Sequence, residues 1–200
     1  MGSKSESFMS GARDMARVGK IPIYGSLDDD NKSLIIECIG IASKSLLTQN
    51  RQWCTLLIDS EDRDYEDTVA IRTAMIESGL KFRGVVQAKA HFCGFSLLQY
   101  CTWRVGISNS TLLYGYGYFR ITNEIHSGIK EGNLYFLDHL RNSLDQTSSD
   151  ISERSGVSKE VLHEYARFQR VFLAQEAVKI GFLDEVVNFI PKSERPESVE

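Results

Sequence analysis

The chain has 200 residues, 42% of them hydrophobic, with 23 Lys and Arg against 27 Asp and Glu. That length suits one domain with enough apolar surface for a core, and a net charge of −4 supplies no basic field to hold a polyanion, which argues against nucleic-acid binding. No run approaches the ~18 consecutive apolar residues of a membrane span, and Cys38, Cys54, Cys93 and Cys101 form no Cys-x-x-Cys pair, so neither a metal site nor a disulfide framework is expected.

In chain order, residues 1–20 mix Ser, Gly and charge without an apolar stretch and read as a flexible N-terminal segment with no secretory signal. "KIPIYG" reads as a strand and "SLDDDN" as a turn and helix start. Leu34, Ile35, Ile39, Ala42 and Leu46 then share one face of a helix over residues 32–47. "WCTLLIDS" is a short apolar run suited to a strand buried on both faces. A helix over residues 64–78 ends at Gly79, "FRGVVQAKA" is a third strand, and residues 92–101 a third helix. "WRVGIS" and "LLYGYGY" read as strands, and residues 122–154 as one long protruding helix. Ser158 caps "VSKEVLHEYARFQ", and the chain closes with strand "RVFLA", helix "QEAVKIG" stopped by Gly181, and strand "FLDEVV". Residues 191–200 are charged and proline-bearing and read as a flexible tail.

Alternating strands and helices predict an α/β fold with right-handed crossovers and a mostly parallel sheet, whose ligands gather at the carboxyl ends of the strands. That rule selects three corners, at residues 59–64, 88–94 and 114–120.

Several side chains near these corners carry possible chemistry. Cys93 beside His91 suggests a thiol–imidazole pair, although adjacent corner residues point apart, and a packed thiol is the simpler reading. Ser96 lies a helical turn into the third helix with no base indicated. Lys89 could serve a Ser–Lys dyad only with a serine at position 92. His126, His139 and His163 read as solvated or structural. "YGYGYF" reads as a packed strand more readily than as an aromatic cage. Asp28, Asp29 and Asp30, like Glu66 and Asp67, read as charges favoured at helix starts rather than a cation site.

The order and spacing of "IPIYGSLDDD", "LLIDS", "AxxxxGxxLL", "SNSTLL", "NEIH" and "GVSKEVLHEYARFQRVFLAQEAVKIGFLDEVV" resemble the ClpP/crotonase superfamily, most of all the proteolytic subunit of Clp protease, over roughly residues 21–190. The resemblance implies a spiral of ββα units, with residues 122–154 as a handle helix, and a Ser-His-Asp peptidase site. Carried onto this chain, the family's serine falls on Phe92, its histidine on Gly115 and its aspartate on Gln169. The glycines whose backbone N–H groups serve the oxyanion fall on Asp62 and Arg63, and the donor that follows the nucleophile on Cys93.

What the resemblance then implies is a non-catalytic, ClpR-like subunit in a ring with other ClpP-like subunits, itself or an active paralogue, served by an AAA+ unfoldase. No cofactor, nucleic acid or membrane would take part, and the expected compartment is the cytoplasm or an organelle stroma or matrix. Two other readings stand beside it: a crotonase-like acyl-CoA binder or enzyme, and a residual hydrolase using Cys93.

Overall fold

The computed structural model describes residues 4–117 and 121–188. Its centre is a mostly parallel sheet: β1 (Lys20–Tyr24), β2 (Trp53–Ser60), β3 (Lys81–His91), β4 (Trp103–Ile107) and β7 (Glu185–Val187) lie side by side in that order, all parallel. β3 is long enough to fork. Its first half pairs with β4 through Arg83–Val86, and its last three residues pair with the short β5 (Thr111–Leu113), which in turn pairs antiparallel with β6 (Val171–Leu173).

The helices between strands are α2 (Asp29–Thr48), α3 (Tyr65–Glu77), α4 (Cys93–Gln99), α7 (Lys159–Phe168) and α8 (Ala174–Ile180). α2 begins where Asp28 accepts from the Asn31 N–H, and it buries Leu34, Ile35, Cys38, Ile39, Ala42 and Leu46. Each large member of that stripe contributes about 1.5–3 kcal/mol by leaving water, so a charge at Ile39 would unseat the helix. Below α4 an aromatic cluster joins the C-terminal elements: Phe95 meets Phe182 edge-on at 5.0 Å, Phe182 meets Phe172 at 5.3 Å, and Phe172 meets Tyr165 at 4.9 Å.

Three elements depart from the sequence reading. The segment read as flexible at residues 1–20 contains helix α1 (Lys4–Arg17). It docks because Ala12 and Ala16, one turn apart, are small enough for close approach to α2, and the Arg13 guanidinium grips the Glu37 carboxylate with two bonds of 2.8 and 2.9 Å. The single helix expected over residues 122–154 is two, α5 (Asn123–Lys130) and α6 (Tyr135–Ser155), broken where Gly132 takes φ +85°. α5 buries none of its residues, and α6 docks only through its last turns, at Thr147, Ser148 and Ile151. The strand expected over "LLYGYGY" stops at Leu113, because Tyr114 turns inward and Tyr116 turns to α7; Tyr118 lies outside the described residues, as does the tail 191–200. No helix among the described residues is long and apolar enough to cross a membrane.

Candidate functional site

The fork in β3 sets the site. At its end the chain turns from strand to helix through Phe92, whose φ of 46° and ψ of −103° lie outside the regions that L-residues ordinarily occupy. Such a backbone costs about 1–3 kcal/mol and persists only where neighbours over-determine it. They do so here. Phe92 N–H donates to the Leu113 carbonyl at 2.9 Å, its own carbonyl accepts from Ser96 N–H at 3.0 Å, and Cys93 N–H donates to the Asp62 carbonyl at 2.9 Å. A sharp, strained strand-to-helix turn is the device by which hydrolases expose a nucleophile. In this chain it displays a phenyl ring.

The ring is packed on every side. It is 4% exposed, with the Arg63 guanidinium over one face at 3.9 Å from the centroid. Gly115 also abuts the ring: a β-carbon there would stand 2.6 Å from Phe92 Cε1 and 2.8 Å from Cδ1. Any side chain at 115, an imidazole included, is therefore incompatible with this placement of Phe92. The space left among Phe92, Cys93, Ser96, Tyr114, Gly115 and Thr147 is a cavity of about 10 Å³, room for about one water molecule.

Gln169 is brought to the same neighbourhood by strand register. Leu113 pairs with Val171 in the antiparallel β5–β6 ladder, and two residues outward from each lie Gly115 and Gln169. Gln169 is exposed and ends α7 in the left-handed conformation, φ 47° and ψ 48°. Positions 92 and 115 thus meet as a ring against a bare backbone, while Gln169 lies exposed at the end of α7, just beyond the paired residues of the β5–β6 ladder.

The donors that could face an oxyanion are engaged within the chain. Cys93 N–H serves the Asp62 carbonyl, and Arg63 N–H serves the Asp62 carboxylate. That carboxylate also accepts from Leu27 N–H, Ser26 Oγ at 2.9 Å and Asp64 N–H at 2.7 Å. Partial burial pushes its pKa up, but these bonds outweigh burial and hold it below the usual carboxylate range. Asp62 therefore acts as a clamp between the loop after β1 and the loop after β2.

The remaining candidates separate in space. The Cys93 thiol donates to the Asp64 carbonyl at 2.9 Å and burial pushes its pKa up to about 12, so it is a packed thiol and not a thiolate. His91 bonds Thr111 Oγ1 through Nε2 at 3.0 Å; burial, then the Lys89 charge, lowers its pKa. Lys89 Nζ bonds Glu61 at 2.8 Å, and Ser96 is buried in α4. His126 and His139 are exposed on α5 and α6. "YGYGYF" forms no cage over its described part: Tyr114 Oη pairs with Ser148 Oγ at 3.0 Å, whereas Tyr116 stacks on His163 and bonds its Nδ1 at 2.8 Å. Asp28 caps α2, and Asp67 pairs with Lys32 at 2.7 Å. No group of three or more His, Cys, Asp or Glu among the described residues is placed to hold a metal.

Two features were invisible to sequence reasoning, the Cys93–Asp62 backbone bond and the Tyr116–His163 contact. The first joins main-chain atoms and leaves no mark on residue type. The second joins elements 47 positions apart. Outside the packed corner, an open groove of about 560 Å³ runs between Gly25–Asp28 and Glu61–Asp64.

No protein-family model matches this chain, and no curated protein matches it either.

Proposed function

We propose that this chain is a ClpP-like subunit without catalysis of its own, a structural or regulatory member of a Clp-type protease assembly built on the spiral ββα fold. The observation that carries the reading is the strained corner at residue 92, which holds the backbone shape of a nucleophile turn and fills it with a phenyl ring packed against Gly115 and Arg63. Loss of the three side chains accounts for the absent hydroxyl, base and orienting carboxylate, and the engaged Cys93 N–H removes an electrophilic stabiliser. The arm formed by α5 and α6 supports a role in assembly: Ile121 before it, and Leu134, Tyr135 and Leu137 within it, are exposed.

In this reading the subunit joins other ClpP-like subunits, adds walls and no active site, and lowers the number of working centres in a shared chamber fed by an AAA+ unfoldase. The acyl-CoA reading fares worse because its enolate would need the same N–H donors, and the Cys93 hydrolase fares worse because the thiol is buried and protonated.

The test is co-expression with an active ClpP-type subunit, followed by light scattering and peptide hydrolysis. The reading predicts mixed assemblies whose activity per subunit falls as this chain is added. A chain that never enters an assembly with such a subunit, or that shows micromolar thermal stabilisation by acetyl-CoA, contradicts it.

A further inference from the structure

The two ends of the parallel sheet differ in charge and in exposed apolar surface. β1, β2, β3 and β4 begin within two residues of one another, with Lys20 opposite Thr55, Trp53 opposite Lys81 and Arg83 opposite Trp103. Main-chain bonds lace the turns before them: Thr55 N–H donates to the Gly19 carbonyl at 2.8 Å, Lys81 N–H to that of Gln52 at 2.7 Å and Thr102 N–H to that of Phe82 at 2.7 Å. This fixed edge carries exposed Val18, Leu47, Trp53 (49% exposed), Ile76 and Trp103 (43%). Val18 precedes β1, while Leu47 and Ile76 lie in the last turns of α2 and α3. Lys20, Arg51, Lys81 and Arg83 stand among them, and Arg154 reaches the same edge by donating to the Thr102 carbonyl at 2.9 Å. Of the acids nearby, Asp14 is held by Arg17, Asp184 by Arg104 and Glu185 by the Trp103 indole N–H, and Glu77 ends α3. The opposite end, where strands hand over to helices, gathers Asp28, Asp30, Glu61, Asp62, Asp64 and Glu66 against Lys32, Arg63 and Lys89.

Single exposed apolar side chains are ordinary, but a row of them along one edge, set among cations, marks a contact surface. Trp, Leu, Ile and Val beside Lys and Arg is the set by which a protein lies on a bilayer. Indoles settle at the headgroup level, aliphatic chains enter the top of the acyl layer, and cations meet anionic lipid phosphates. A single-stranded nucleic acid would engage the indoles and cations and leave Val18, Leu47 and Ile76 in water. These side chains stand on turn tips, which meet a flat surface in one row, whereas the open groove suited to a protein segment lies at the other end. With the tryptophan edge facing an anionic surface, the acidic end points away from it. The expectation that no membrane takes part came from the lack of a spanning run, which a surface contact does not require.

We propose that the edge where β1, β2, β3 and β4 begin docks this chain on an anionic lipid bilayer, with Trp53 and Trp103 in the headgroup layer and Lys20, Arg51, Lys81 and Arg83 over lipid phosphates. The contact is peripheral and reversible: the apolar tips enter by about 5–10 Å and the rest of the molecule stays in water. It is independent of the protease reading, because it uses neither the corner at Phe92 nor any residue of α5 or α6.

The chain holds 2 tryptophans, Trp53 and Trp103, so its indole emission reports on this edge alone. The full chain is mixed with vesicles of phosphatidylcholine, alone or with phosphatidylglycerol, and co-sedimentation and emission are read at about 20 and 500 mM salt. The wild type should bind the anionic vesicles at low salt, with emission shifted to the blue. Bromine near the top of the lipid chains should quench it more than bromine near their ends. High salt, or phosphatidylcholine alone, should weaken binding about tenfold or more. Arg51→Gln and Lys81→Gln, at exposed positions, should each lower the partition coefficient roughly fivefold at low salt. Ile76→Asn should lower it at either salt concentration, and Lys130→Gln, exposed on α5, should leave it unchanged. Circular dichroism and melting curves establish that each variant is folded. A wild type that ignores anionic vesicles at low salt overturns the proposal and points this edge at a protein partner instead. Vesicle binding with unshifted indole emission overturns it too, as does a Lys130→Gln loss equal to that of Lys81→Gln, which would make the attraction a general one.

Discussion

Adding one methyl group at position 115 tests the packing of the site. In Gly115→Ala the new carbon would stand 2.6 and 2.8 Å from two atoms of the Phe92 ring and 3.1 Å from Leu113 Cδ2. Carbon atoms rest about 3.5–4.0 Å apart, so the ring must withdraw by roughly 1 Å. It has nowhere to go: the guanidinium of Arg63 lies over it, the adjoining cavity is about 10 Å³, and three backbone hydrogen bonds fix the turn. Overpacking of this kind costs about 1–3 kcal/mol, and in a chain of this length each kcal/mol lowers Tm by about 2–4 °C. Urea denaturation of wild type, Gly115→Ala, Phe92→Ala and the double variant supplies a thermodynamic cycle. Removing the ring deletes both of the closest contacts, so the alanine at 115 should cost at least about 1 kcal/mol less in the Phe92→Ala background. Additive changes within about 0.3 kcal/mol would show that residues 92 and 115 are not in contact and would refute the description of the site.

Four further outcomes follow. Phe92→Ser restores a hydroxyl at the corner but neither a base nor a free Cys93 N–H, so hydrolysis of a fluorogenic peptide should stay at the buffer blank; a rate above it would show that those parts are present. Burial raises the Cys93 and Cys54 thiols to about 12, and Cys38 to about 11, so none should react with a disulfide reagent below about pH 9 unless the chain is unfolded. Because the unfolded chain loses these protons first, stability should fall as pH rises from about 9 toward 12, read as a falling urea midpoint. The Asp62 carboxylate is held below its ordinary value by its hydrogen bonds, so its contribution is present at neutral pH and is lost as pH falls below about 4. Asp62→Asn should cost about 1–3 kcal/mol at pH 7 and little near pH 2; an unchanged midpoint at pH 7 would show that the clamp is not needed.

Much of the fold was legible because periodicity and punctuation agree along most of the chain. Trp53–Ser60 is the strand its apolar run predicts, Gly79 and Gly181 stop their helices in left-handed conformations, and the five apolar residues chosen on α2 are all buried. α1 was missed because its docking surface is two alanines and an ion pair to Glu37, a signal that exists only once α2 is in place. The break at Gly132 was hidden by the polar, proline-free sequence on both sides of it. At the site, residue types show a phenyl ring, a bare backbone and an amide at positions 92, 115 and 169. They could not tell that a phenyl ring occupies the room, or that main-chain donors are consumed, since those are properties of backbone path. The charge polarity was likewise unreadable in one dimension: Lys20, Arg51 and Lys81 are scattered along the sequence until parallel strands bring their starting ends together.

The central claim is that no side chain among the described residues is an activated nucleophile. It is tested most directly by the intact mass of the purified protein after incubation with a fluorophosphonate probe and, in parallel, by casein degradation. The account predicts an unmodified mass of 22.6 kDa and intact casein. A stoichiometric adduct on any serine, or casein cleavage that the probe abolishes, would contradict it.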